Sequence, residues 1–73
     1  MKRIVITGAG GQIGSELVTS LRERYGTEAV MATDIRPLPD AVSSDGPTAI
    51  LDAQDYNAVA QTALAHKADT IFH

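Results

Sequence analysis

Cysteine is absent from this 73-residue sequence. That excludes a disulfide framework and any zinc site built on thiolates, and it is compatible with a reducing, cytoplasmic setting. Histidine is scarce: His66 and His73 stand apart, and two such residues do not make a metal site. Positive charge is also in short supply, since six Lys and Arg against nine Asp and Glu leave a net charge of −3. No basic cluster goes beyond Lys2-Arg3 and the pair Arg22 and Arg24, which argues against nucleic acid as a partner. Long apolar runs are missing as well. Met-Lys-Arg followed by Ile-Val-Ile superficially resembles the start of a signal peptide, but the run breaks at Thr7-Gly8, far short of an h-region. No stretch is long enough for a transmembrane helix, and no membrane partner is expected. Finally, Tyr25 is followed by Gly-Thr-Glu-Ala and Tyr56 by Asn-Ala-Val-Ala. Neither opens a Tyr-x-x-x-Lys arrangement, in which lysine helps a tyrosine act as acid or base, so no catalytic residue is assigned within the chain.

Glycine, by contrast, is concentrated. Four of the six glycines lie in Thr7-Gly8-Ala9-Gly10-Gly11-Gln12-Ile13-Gly14. The string follows Ile4-Val5-Ile6, a continuous apolar run of the kind found in a strand buried on both faces of a parallel sheet. It precedes Ile13, Leu17, Val18, Leu21 and Tyr25 at helical spacing, with Glu16, Arg22, Glu23 and Arg24 expected on the other face. Strand, glycine turn and helix in this order present free amides and the positive end of a helix dipole to a phosphate. Gly8 suits the tight exit from the strand, Gly11 removes the Cβ that would block a pyrophosphate, and Gly14 lets the helix pack on the sheet. Gly10 offers one further permissive backbone position. The amides of Gln12 and Ile13, at the helix start, are the expected donors.

A second apolar run, Val30-Met31-Ala32-Thr33, ends in Asp34, about twenty residues beyond Gly14. From there a carboxylate accepts hydrogen bonds from the adenosine ribose hydroxyls and repels a 2′-phosphate, which favours NAD over NADP as the dinucleotide. Arg36 is open to three readings: an ordinary surface charge, a stack on adenine, or a contact to a 2′-phosphate. Asp52 follows a third apolar run, Ala49-Ile50-Leu51, and either contacts adenine or caps the next helix; Asp55 is expected to be a cap.

Residues 35 to 48 carry all three prolines and a Ser/Asp/Gly cluster, so no stable helix is expected there. A second helix is expected around Gln54 to Lys67, with Tyr56, Val59, Ala60, Ala63 and Leu64 apolar and His66 exposed near its end. Thr70-Ile71-Phe72-His73 reads as a fourth strand, with His73 a packed structural residue. The expected fold is α/β, a doubly wound parallel sheet with right-handed crossovers, and a strand order of 3-2-1-4 would place its ligand crevice between strands one and four. One helix for each face of such a sheet leaves apolar surface bare, so the chain is expected to be the N-terminal portion of a larger Rossmann domain, with no second domain present. At this length only about 60% of the unfolded surface becomes buried.

The strings Thr-Gly-Ala-Gly-Gly-Gln-Ile-Gly, Ser-Glu-Leu, Ala-Thr-Asp-Ile-Arg and Leu-Asp-Ala-Gln-Asp resemble the extended short-chain dehydrogenase/reductase superfamily, its NAD-dependent epimerase/dehydratase group. Within that group they are most similar to the short-chain L-threonine 3-dehydrogenases. The resemblance implies that Gly8, Gly11, Gln12, Ile13 and Gly14 line the pyrophosphate, that Asp34 holds the ribose, that Ile35 and Arg36 lie on the cofactor rim, and that Leu51 and Asp52 border the adenine. It implies NAD as cofactor and oxidation of the threonine 3-hydroxyl, with the Tyr-x-x-x-Lys tyrosine and its partners supplied from beyond His73. A small-molecule substrate and a homodimer are expected of the complete protein. Nucleotide-sugar epimerases and dehydratases share the same amino-terminal motifs, and a non-catalytic NAD-binding module remains a third reading.

Overall fold

β-branched residues are stiff at χ1 and favour an extended backbone, and Ile4, Val5 and Ile6 supply three in succession. In the computed structural model, which describes residues 2–43 and 45–72, they form β1 (Ile4–Ile6), with every side chain at most 1% exposed. Fully burying one such side chain contributes roughly 1.5–3 kcal/mol, so this short strand anchors the sheet. It is the central strand. β2 (Val30–Asp34) pairs with it in parallel on one side, and β3 (Thr48–Ile50) pairs with β2 beyond. β4 (Thr70–Phe72) pairs in parallel on the other side, giving the order β3-β2-β1-β4 expected from the sequence. β3 lies one residue earlier than Ala49 to Leu51, although the Leu51 amide still donates to the Asp34 carbonyl at 2.8 Å. His73 lies outside the described residues.

α1 (Gln12–Tyr25) returns the chain from β1 to β2 and packs Leu17, Val18, Leu21 and Tyr25 against Ile4, Ile6, Val30 and Ala32. A 3-10 turn, Thr27–Ala29, leads into β2. On the opposite face Val5 and Thr33 are fully buried, and α3 (Tyr56–His66) packs against β1 with Val59 inward. Asp55 caps α3 as expected, its carboxylate accepting from the Ala58 amide at 3.1 Å. Tyr56 and Leu64, two of the apolar residues of α3, are 79% and 77% exposed. Ile71, in register with Val5, is also exposed, so one short helix leaves part of that side uncovered, while Ile50 and Phe72, in register with Asp34 and Ile6, are exposed on the side of α1.

Three local expectations are corrected by packing. Residues 35 to 48 do contain one helical turn, α2 (Asp40–Ser43). Proline is tolerated ahead of a helix because its φ is already helical; the Val42 amide donates to the Pro39 carbonyl at 2.9 Å, and the Val42 side chain joins the core. Arg22, expected on the outer face of α1, is only 4% exposed. Its Nη1 donates to the Val42 carbonyl at 2.8 Å and Nη2 to the Pro47 and Val30 carbonyls at 2.8 and 3.2 Å, while Nε also points to Val30. The planar fork of five donors suits a place where three carbonyls converge. Burial pulls the Arg22 pKa below the usual arginine value, against the support of Asp45 and Glu28. Arg22→Met keeps the length but strands those carbonyls, and should lower the unfolding free energy by about 2 kcal/mol in urea denaturation; an unchanged midpoint would show the fork to be dispensable.

His66 is the third correction, for it is buried at the end of α3 and not exposed. Nε2 donates to the Ala29 carbonyl at 3.0 Å, since a carbonyl only accepts, and Nδ1 faces Arg3 Nη2 at 3.3 Å. Arg3 Nε also donates to the His66 carbonyl at 2.6 Å. The histidine thus ties α3 to the start of β1 and to the turn before β2.

Candidate functional site

At the exit of β1 the chain must turn within a few residues, and Gly8 does so at φ +68°, where a side chain is strained. The Gly8 carbonyl accepts from the Gly11 amide at 3.2 Å, and the Ala9 amide donates to the Thr33 carbonyl at 2.9 Å, which fastens the turn to β2. Gly11 is the N-cap of α1, and no side chain caps that terminus or adds an acidic charge to its first turn. The amides of Gln12 and Ile13 therefore begin the helix without an intrahelical partner. α3 differs, because its first turn is closed by Asp55. Gly14 faces the turn so closely that a Cβ would run into the Gly8 carbonyl oxygen and lie 3.0 Å from Ala9 Cα.

Asp34, at the end of β2, faces this turn. Its Oδ2 accepts from the Gly10 amide at 2.8 Å and its Oδ1 from the Arg36 amide at 3.2 Å. Hydrogen bonds to the charged form stabilise it. The Gly10 amide above all, then the amides of Arg36 and Ile35 and the Arg36 charge, hold the Asp34 pKa below the ordinary aspartate value of 3.8, outweighing the slight desolvation. A folded-state pKa depressed in this way means that the stabilisation is present above the unfolded value and is lost as pH falls through the folded one. The difference in unfolding free energy between the protein and its Asp34→Asn variant should therefore be flat above about pH 4 and shrink in more acidic solution. Urea titrations across that range measure it, and a difference that grows on acidification would contradict the assignment.

Gly10, Gly11, Asp34, Ile35 and Arg36 line one cleft of about 600 Å³, closed on its far side by Pro37, Leu38 and Pro39. Gly8, Ile13 and Gly14 line a second, of about 310 Å³, with Ile6, Thr7, Leu17 and Phe72. The two clefts flank the start of α1 and are lined by seven of the ten residues singled out in the sequence; Gln12, the first residue of α1, lines neither. Leu51 and Asp52 line neither. Leu51 is buried, and the Asp52 carboxylate accepts from the Gln54 amide at 2.9 Å, closing a turn before α3. Among the described residues no group of three His, Asp or Glu is arranged to hold a metal ion, and no helix is long and apolar enough to cross a membrane. Sequence reasoning missed Gly10 as a partner of Asp34 and missed the wall of residues 37 to 39. The signal was present in two prolines close behind Asp34, which stiffen the segment.

Comparison with known proteins adds three findings. Residues 4–73 match the family model described as the NAD dependent epimerase/dehydratase family. Uncharacterized epimerase/dehydratases of Staphylococcus epidermidis and Staphylococcus haemolyticus are 55% and 50% identical over the whole chain, which spans 23% of the length of each. Among solved structures, an L-threonine dehydrogenase from Clostridium difficile superposes with a TM-score of 0.89 at 44% identity, over 97% of this chain and 23% of its own. A GalE-like L-threonine dehydrogenase from Cupriavidus necator, in its holo form, gives 0.85 at 36% identity, over 94% of this chain and 22% of its own.

Proposed function

We infer what this chain does from the fact that it belongs to the NAD-dependent epimerase/dehydratase family: it forms the NAD-binding, amino-terminal part of a longer oxidoreductase. The pyrophosphate sits at the uncapped start of α1, on the amides of Gln12 and Ile13, with Gly11 keeping a Cβ out of its way, Gly8 making the turn and Gly14 letting the helix close on that turn. Asp34 accepts from the ribose hydroxyls, and Ile35 and Arg36 wall the adenosine side. Leu51 and Asp52 complete the adenine end. The fit is chemical as well as geometric, since the open amides suit an anion and the ionised Asp34 suits hydroxyl donors and repels a 2′-phosphate.

The substrate reading is L-threonine, oxidised at its 3-hydroxyl to 2-amino-3-ketobutyrate with hydride passing to NAD. The observation that carries it is the 44% identity and 0.89 TM-score with a solved L-threonine dehydrogenase. The acid/base tyrosine, its lysine and a polarising hydroxyl belong to the rest of that longer protein. A cytoplasmic homodimer in threonine catabolism is the setting that accompanies this reading. The family description also covers epimerases and dehydratases, which makes a nucleotide-sugar substrate the second reading. Assaying the full-length protein with NAD and either L-threonine or UDP-sugars separates them: NADH formation on threonine is expected, and sugar turnover without it would overturn the threonine reading.

A further inference from the structure

We propose that Arg22, buried on α1 and not itself lining the cleft, is a positioning residue for dinucleotide binding: its guanidinium holds in place the segment that carries the cleft wall of Pro37, Leu38 and Pro39. The proposal rests on the dinucleotide reading above. Residues 35 to 47 leave β2 after Asp34 and rejoin the sheet at Thr48, with the single turn α2 between. The wall lies in the first half of this segment. Pro37 and Pro39 are exposed and Leu38 is half-buried, so burial alone does little to fix it.

Arg22 acts on the second half. Through the carbonyls of Val42 and Pro47, each at 2.8 Å, the fork fastens α2 and the approach to β3 to Val30 at the start of β2. From Val42 the tie runs back to the wall by two routes: the Val42 amide donates to the Pro39 carbonyl at 2.9 Å, and the side chains of Val42 and Leu38 belong to the same core cluster. Gly46 completes the arrangement. Its φ is not positive, so backbone freedom does not require glycine there, but a Cβ would lie 2.9 Å from Arg22 Cζ and 3.0 Å from Nε. The missing side chain leaves the room that the guanidinium fills. A wall ordered beforehand costs nothing further to order when a ligand arrives. Without the fork its carbonyls turn to water, the wall loosens, and binding must order it again; the loss falls on the ADP-ribose part of the dinucleotide, which this cleft receives.

The test compares Arg22→Met, Arg22→Lys and Val59→Ala in the full-length protein, at a temperature where the variants are folded; Arg22→Lys carries it alone where Arg22→Met does not fold. Val59 is buried in α3 on the opposite face of the sheet and controls for loss of stability as such. Calorimetry should show the affinities for NAD and for ADP-ribose falling together, roughly fivefold, in both Arg22 variants, the cost of ordering a few residues on binding. Lysine keeps the charge but not the planar fork, and should not rescue. Val59→Ala should change either affinity by less than about twofold. In the ligand-free protein, hydrogen exchange of the Val42 amide should accelerate relative to that of Ile6 in both Arg22 variants, and keep pace with it in Val59→Ala. Wild-type affinity in a folded Arg22→Met, full rescue by lysine, an unmoved ratio of Val42 to Ile6 exchange, or an equal loss in Val59→Ala overturns the proposal and leaves the dinucleotide site standing. A loss seen with NAD but not with ADP-ribose overturns it as well. A wild-type protein that binds neither ligand overturns the dinucleotide reading and this proposal with it.

Discussion

Gly14→Val in the full-length protein is expected to lower its unfolding free energy by about 4 kcal/mol, more than the roughly 1–3 kcal/mol of ordinary overpacking. The reason lies in what the new side chain meets. A Cβ at residue 14 is directed at backbone, namely the Gly8 carbonyl oxygen, the Gly8 carbonyl carbon at 3.1 Å and Ala9 Cα at 3.0 Å. Backbone held at both ends does not swing aside as a rotamer does. Ala9 is fastened to β2 through the Thr33 carbonyl, and the Gly8 carbonyl is already engaged by Gly11. The strain is relieved only by lifting α1, which draws Leu17 and Val18 away from Ile4, Ile6 and Val30. Gly11 provides the contrast, since a Cβ there meets nothing nearer than the Gly8 oxygen at 3.6 Å. Gly11→Ala should therefore keep stability within about 0.5 kcal/mol while weakening NAD binding, because the space it fills is the ligand's. Urea denaturation of both variants decides the matter; equal stabilities would mean that Gly14 is not the point where helix and turn close.

Asp34→Ala should weaken NAD binding roughly a hundredfold, because two charge-assisted hydrogen bonds to the ribose are lost at about 1.5 kcal/mol or more each. NADP should bind as well as before or better, since the charge that repels its 2′-phosphate is gone. The fold should lose only the modest stabilisation that the ionised carboxylate gives it near neutral pH. The Gly10 and Arg36 amides that lose a partner are exposed and take water instead. Calorimetry with both dinucleotides measures the shift in ratio, and thermal melting confirms the fold. A parallel loss of both affinities would show that the carboxylate organises the site without choosing between cofactors.

The legible parts of this fold were those where one local rule acted alone. Ile4-Val5-Ile6 had no competing reading as a buried strand, and the glycine turn with Asp34 behind Val30-Met31-Ala32-Thr33 placed β1, α1 and β2 together. The expected strand order, that of a doubly wound sheet, is the one observed. Arg22 and His66 were misplaced because local pattern reads charge as exposure, whereas both satisfy carbonyls from segments distant in sequence. Of the apolar residues of α3 named from the sequence, Val59 is the one buried, while Tyr56 and Leu64 stay exposed. In the site, the uncapped start of α1 and the place of Asp34 at the end of β2 were readable from spacing. The bond between Gly10 and Asp34 was not, since 24 residues separate them and only the parallel pairing of β1 with β2 brings them together.

The measurement that bears most directly on this account is calorimetric titration of the full-length protein with NAD and with NADP at the same ionic strength. The structure of the Asp34 cleft predicts saturable binding of NAD and at least tenfold weaker binding of NADP. Tighter binding of NADP, or no binding of either, would contradict it.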